Sequence, residues 1–135
     1  MRRLLLAVAA VFVAWVALDF VMHGVILRTS YEATSQLWRP MQEMKMGVMY
    51  VAVAIAAFAF VMLYARLSPE RNLRGGLEYG FWFGVAGGVS MGYGSYAVMP
   101  IPYHMALVWA LGTLVESLVA GLIAGALLRR RGEWV

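Results

Sequence analysis

The sequence predicts an all-α integral membrane protein, a single bundle of four transmembrane helices with both termini on the cytoplasmic side. Three observations carry that expectation. Of the 135 residues, 63% are hydrophobic and 13% are charged, against about 45–50% and about 25% in ordinary soluble domains. A core of this length cannot hide so much apolar surface, and lipid is its natural solvent. Four apolar runs, near Leu4–Leu27, Met46–Arg66, Gly76–Val98 and His104–Leu128, each reach the roughly 20 residues that a helix needs to cross a bilayer. The basic residues are also unevenly shared. Arg2, Arg3, Arg66, Arg71, Arg74, Arg129, Arg130 and Arg131 fall on one side, with Arg28, Arg39 and Lys45 on the other. Basic residues beside spans stay in the cytoplasm, which puts the chain in a cytoplasmic (inner) membrane with both ends inside. One domain, residues 1–135, is expected on length.

The first run follows Arg2 and Arg3 as a secretory signal would. No small-x-small cleavage site follows it, however, and Asp19 comes directly after the apolar stretch, so it reads as a retained span. The loop Arg28–Lys45 is the longest and faces outward. Pro40 suits the first turn of the second helix, and Tyr31, Leu37 and Trp38 suit a segment lying at the membrane interface. The second loop, "ARLSPERNLRGG", is a polar cytoplasmic turn. The third, "AVMPIPYH", is short and stiffened by proline, so the third and fourth spans are antiparallel neighbours. The net charge of +4 is assigned to topology and lipid contact rather than to nucleic acid.

The third span carries Gly76, Gly80, Gly84, Gly88 and Gly92, one at every fourth residue. Glycine within a helix costs about 1 kcal/mol relative to alanine. In lipid, where helices associate through close van der Waals packing, small residues let backbones approach. The fourth span has a line of like spacing in Thr113, Ser117, Gly121 and Gly125. These two faces are expected to pack on each other, or one of them on a partner subunit.

Ionisable groups within spans are costly and each is a functional-site hypothesis. Glu116 falls near the centre of the fourth span. Asp19 and His23, four residues apart, share a helical face in the outward half of the first, and His104 opens the fourth on the same side. Glu116 is a group that can bind and release a proton, or it can donate a hydrogen bond to Ser90, Tyr93 or Ser117. Asp19 and Glu116 are expected at different depths, so no paired acids are foreseen. Asp19 can orient the His23 ring. His23 and His104, with Met22, Met41, Met44, Met46, Met99 and Met105 expected nearby, form a candidate site for copper or haem. Otherwise no cofactor is implied. There is no cysteine, no phosphate loop and no nucleophile elbow, which disfavours an enzyme.

"ALDFVMHGVIL", "SYEATSQLW", "MGVMYVAVAIAAF" and "YGSYAVMPIPYHMALVWALGTLVESLVAG" together make most of the chain resemble small four-span bacterial membrane proteins of unknown function. The matching positions are Asp19, Tyr93–Tyr96, and Trp109, Gly112 and Thr113. Where that family has an acid near the end of the third span, this chain has "YGSYAVM". The resemblance implies a four-helix integral membrane protein.

The leading functional expectation is a non-catalytic accessory or structural subunit, in a larger membrane complex or a homo-oligomer packed through its glycine faces. Its partners would be the lipid bilayer and other membrane subunits, or copies of itself. The alternatives are a proton-coupled carrier of a small solute, with Glu116 as the proton site and Asp19 and His23 on the outward path, and a metal- or haem-binding protein using His23 and His104.

Overall fold

The computed structural model describes residues 1–129; Arg130 and Arg131, two of the basic residues used above for orientation, lie outside the described residues. The described chain is helical throughout, with no strand. Helix α1 (Arg2–Asp19) continues without a break as a π-helix over Phe20–Ile26. A short helix α2 (Arg28–Ala33) and two 3-10 turns then lead to α3 (Met46–Leu67), α4 (Leu73–Val98) and α5 (Tyr103–Leu128). Three helices, Arg2–Ile26, Met46–Leu67 and Tyr103–Leu128, are long and apolar enough to cross a membrane. The α4 helix is as long as α5, at 26 residues, but its glycines dilute its apolar character. Pro40 does not open α3. It precedes a separate 3-10 turn, Met41–Glu43, and α3 begins at Met46.

The α4 glycines determine how the bundle closes. All five of Gly76, Gly80, Gly84, Gly88 and Gly92 are buried, and a methyl group on any of them would strike the α5 backbone. At Gly76 it would meet the Gly121 carbonyl oxygen and at Gly80 that of Ser117. At Gly84 it would lie 2.8 Å from the Leu114 Cα, and at Gly88 and Gly92 2.5 Å from the carbonyl oxygens of Ala110 and Ala106. Ascending α4 by four residues descends α5 by three or four, so the pair is antiparallel and in register along most of its length. The contact is reciprocal: a methyl on Gly121 would strike the Gly76 carbonyl, and one on Gly125 the Asn72 carbonyl at 2.5 Å. The matching line on α5 is therefore Ala106, Ala110, Leu114, Ser117, Gly121 and Gly125. Thr113 lies to one side, its methyl 3.7 Å from where a Gly87 Cβ would stand.

The α1 helix packs against the other flank of α5 and against α3. Ala7, Val11 and Trp15 of α1 meet Ala57, Phe60 and Val61 of α3 and Ala120 of α5 in one cluster. Aromatic rings close the circle from α3 to α4. Phe60 stacks edge-on with Tyr79 at 4.8 Å and Phe83 at 4.9 Å, and the Tyr79 hydroxyl donates to the Phe60 carbonyl at 3.1 Å. All of this lies in the half of the bundle nearest the N-terminus and the α3–α4 loop. Ala57, Phe60, Val61 and Tyr64 are the buried residues of α3, and the half from Met46 to Ala56 buries none.

Gly84→Leu or Gly88→Leu forces a side chain into backbone and is expected to lower stability by about 1–3 kcal/mol or more. Gly47 and Gly94, where an added Cβ meets nothing within 4 Å, are the controls. Thermal unfolding in detergent checks the contrast, with Gly94→Ala close to wild type.

Candidate polar site

At the opposite end of the bundle a second cluster forms from Met22, Leu27, Ile101, Met105, Ala106 and Trp109, with Tyr31, Leu37 and Trp38 packed against it. The α2 helix folds across the top of α5. Its Ser30 hydroxyl pairs with His104 Nε2 at 2.7 Å. Thr34, which is buried, donates to the Ser30 carbonyl at 2.7 Å and accepts from Trp38 Nε1 at 2.8 Å. Trp38 is thereby held edge-on against Tyr31 at 5.1 Å and Trp109 at 6.1 Å.

Beneath this aromatic cap runs a chain of polar groups. Trp109 Nε1 donates to the Tyr31 hydroxyl at 3.0 Å, and that hydroxyl lies 2.6 Å from His23 Nδ1. Indole nitrogen only donates, so the Tyr31 proton is left for Nδ1, which places the His23 proton on Nε2. His23 Nε2 faces Asp19 Oδ1 at 3.7 Å. Asp19 in turn lies beside the Glu116 carboxyl on α5. Burial holds the Tyr31 hydroxyl above the ordinary tyrosine range, opposed by the Trp109 N–H and reinforced by the Asp19 charge; it stays a protonated donor at neutral pH.

The meeting of Asp19 and Glu116 corrects the expectation that they sit at different depths. The helix ends are not level. The first turn of α5 projects beyond α1 to reach Ser30 of α2, so a residue midway along α5 stands opposite one near the end of α1. Met22 against Gly112 and Trp15 against Glu116 lie on the same antiparallel track. Trp15 Nε1 donates to the Glu116 carbonyl at 2.9 Å, tying the two helices at the level of the acids. Ser90, Tyr93 and Ser117 do not serve the Glu116 carboxyl. Ser90 is exposed, Tyr93 pairs with Tyr103 at 3.0 Å, and Ser117 is buried on the face toward α4. Glu116 Oε1 is buried with no hydrogen-bond donor among the described residues.

The π-helical segment lies at this site. Phe20–Ile26 carries His23, and its last bond runs from the Leu27 N–H to the Met22 carbonyl at 2.9 Å, a five-residue step. Such segments concentrate at functional positions. His23 and His104 are not joined in one ligand set. His23 turns its nitrogens to Tyr31 and Asp19, while exposed His104 binds Ser30. Among the described residues no group of three or more histidine, aspartate, glutamate or cysteine side chains is placed to hold a metal ion. Of the methionines, Met22 and Met105 are packed in the apolar cluster and Met99 lies at its edge.

Tyr31, Trp38 and Trp109 are the members of the site that sequence reasoning gave no part in it. Tyr31 and Trp38 read as interfacial aromatics, and Trp109 entered only through the family resemblance. No family model, curated protein or solved structure matches the chain.

Tyr31→Phe strands the Trp109 N–H and removes the partner of His23, and is expected to cost about 1–3 kcal/mol. Tyr103→Phe, which breaks an exposed hydroxyl pair, costs less than about 0.5 kcal/mol. Chemical denaturation followed by tryptophan fluorescence compares the two.

Proposed function

We propose that this is a four-span membrane protein, with both termini in the cytoplasm, that couples the movement of a small solute to protons. The Asp19–Glu116 pair is the proton site, and His23 and Tyr31 form its connection to the outward face. The observation that carries this reading is the line of polar groups in which Trp109 and His23 share the Tyr31 hydroxyl, with Asp19 3.7 Å from His23 and Glu116 beside Asp19. A lone buried acid needs only one hydrogen-bond partner. Two acids joined to an imidazole, which can take a proton at one nitrogen and release one at the other, form a relay. About a third of the side-chain surface of both residues remains open, 31% for Asp19 and 34% for His23, which leaves the site an approach.

The fourth span is supported by register. The α4 backbone follows α5 from Gly76 opposite Gly121 to Gly92 opposite Ala106, and a helix so paired runs through the same depth as its partner. The part of α4 beyond Glu78 carries no charge.

The reading of the chain as an accessory subunit keeps one observation in its favour, the unburied half of α3 from Met46 to Ala56, where a partner helix can lie. The glycine faces do not favour it, because each occupies the other within the chain.

Infrared difference spectra between acid and alkaline pH are expected to contain a protonated-carboxyl band that disappears in both Glu116→Gln and Asp19→Asn. Glu116→Gln is also expected to abolish solute uptake driven by a pH gradient in vesicles, with the folded protein intact by size-exclusion chromatography. A band or an uptake that survives Glu116→Gln overturns the reading.

A further inference from the structure

The chain has ten methionines, and four of them fall within nine residues, "MQEMKMGVM", from the Met41–Glu43 turn into the start of α3. Met22 and Met105 fill the apolar cluster under α2, which is the ordinary use of a flexible thioether. Met41, Met44, Met46 and Met49 fill nothing. They are 76%, 39%, 42% and 42% exposed, and neither the Met41–Glu43 turn nor α3 from Met46 to Ala56 has a fully buried residue. Lipid contact does not account for Met41 and Met44, which stand among Gln42, Glu43 and Lys45 ahead of the apolar span.

The four are spaced by 3, 2 and 3 residues, and the backbone changes its period in step. Met41–Glu43 is a 3-10 turn, closed by the Met44 N–H on the Met41 carbonyl at 3.3 Å. Residues three apart in such a turn eclipse each other, so Met41 and Met44 leave it on one side. Met44 is extended, with φ −65° and ψ 127°, and Lys45 also stands outside the helix. Side chains alternate along extended backbone, so Met46 returns to the side of Met44 while Lys45 is turned away. From Met46 the chain is α-helical, where residues three apart are again neighbours, and Met49 shares the face of Met46. A uniform helix or strand would part these positions. The local order of turn, extended link and helix gathers them along one side.

Thioether sulfur is uncharged and soft, and it has no proton to lose on binding. Such ligands select Cu(I), whereas Zn(II) takes imidazole, thiolate or carboxylate. His23 and His104 are committed to Tyr31, Asp19 and Ser30, so the sulfurs stand without imidazole help. We infer that Met41, Met44, Met46 and Met49 bind Cu(I) through their thioethers, in place of the histidine–methionine set expected from the sequence. The site shares no residue with the proton pair.

Anaerobic titration of the full chain in detergent with Cu(I), kept reduced by ascorbate and competed with bicinchoninate, tests this. The wild type is expected to hold a single Cu(I) per chain. Met44→Leu combined with Met46→Leu keeps the apolar volume and removes two sulfurs, and is expected to lower the affinity by about tenfold or more. Met91→Leu, at a methionine 54% exposed on α4, leaves the affinity unchanged, and so does His104→Gln. All of these positions are exposed, and size-exclusion chromatography checks that each variant is folded. The inference is overturned if the wild type takes up no Cu(I), or if the paired variant keeps the wild-type affinity. It is also overturned if Met91→Leu or His104→Gln loses as much as the paired variant, or if equimolar Zn(II) displaces the bound Cu(I).

Discussion

The close approach of α4 and α5 is the constraint on which the other contacts depend. With Ala106, Ala110, Ser117, Gly121 and Gly125 committed to α4, α5 has no freedom to rotate about its axis. Rotation by even one residue would bring side chains into the α4 backbone. The flank carrying Trp109, Gly112, Glu116 and Ala120 is then turned toward α1 by geometry alone. The glycines hold no chemistry, yet they aim the one acid that α5 carries. Their intrinsic cost in helix propensity, about 1 kcal/mol each, is offset by backbone contact that any larger residue would forbid.

The first helix meets that flank with residues of matching demand. Gly112 leaves a notch that the Met22 thioether fills, Trp15 binds the Glu116 carbonyl, and Asp19 stands against the Glu116 side chain. Polar groups in such surroundings are costly unless joined to one another. The hydrogen bonds from Trp109 through Tyr31 to His23 meet that condition with partners drawn from α5, α2 and the continuation of α1, and Asp19 stands 3.7 Å from the ring. The short α2 is essential to it. Without Tyr31 and the Thr34–Trp38 pair above it, His23 would end the chain without a partner and Trp109 would bury an unsatisfied N–H.

Much of the bundle was legible in the sequence because its signals are local. Apolar runs mark three membrane-length helices to within a few residues, and a glycine at every fourth position marks a face of close contact. The polar site was legible in its members but not in its assembly. Asp19, His23 and Glu116 stand out as charges among apolar residues. Their meeting depends on how far α5 projects past α1, and no local pattern encodes that offset. Measuring depth from each helix end placed the acids apart, since that measure supposes level ends. Tyr31 and Trp38 read as interfacial aromatics because their positions in a polar loop carry no sign of the fold of α2 over α5. The pairing of Thr34 with Trp38 at a four-residue spacing was the available local signal that the loop is helical and ordered.

The two ends of α3 differ in a way that bears on how a proton site could work. Near the α3–α4 loop, Phe60 and Tyr79 lock α3 to α4 by a hydrogen bond and edge-on rings. From Met46 to Ala56, α3 has no fully buried residue, and Val53 alone packs against the α1 cluster from this half. Regions with few buried contacts open at low free energy, while closely packed ones do not. A coupled carrier must expose its site alternately to two sides, which requires one element to move against a fixed one. On the proposed reading α4 and α5 are the fixed element, because sliding either by a residue collides backbone with backbone. The α3 helix, locked to α4 near its C-terminal end and held toward its N-terminal end chiefly through Val53 against the α1 cluster, is on that reading the element with least to hold it. The acids lie on the boundary between the two, held on α5 by the rigid pair and on α1 by the helix that α3 leans against. On the proposed reading a shift of α1 against the rigid pair changes how closely Asp19 faces Glu116, and the sharing of a proton between two carboxyls depends on that separation.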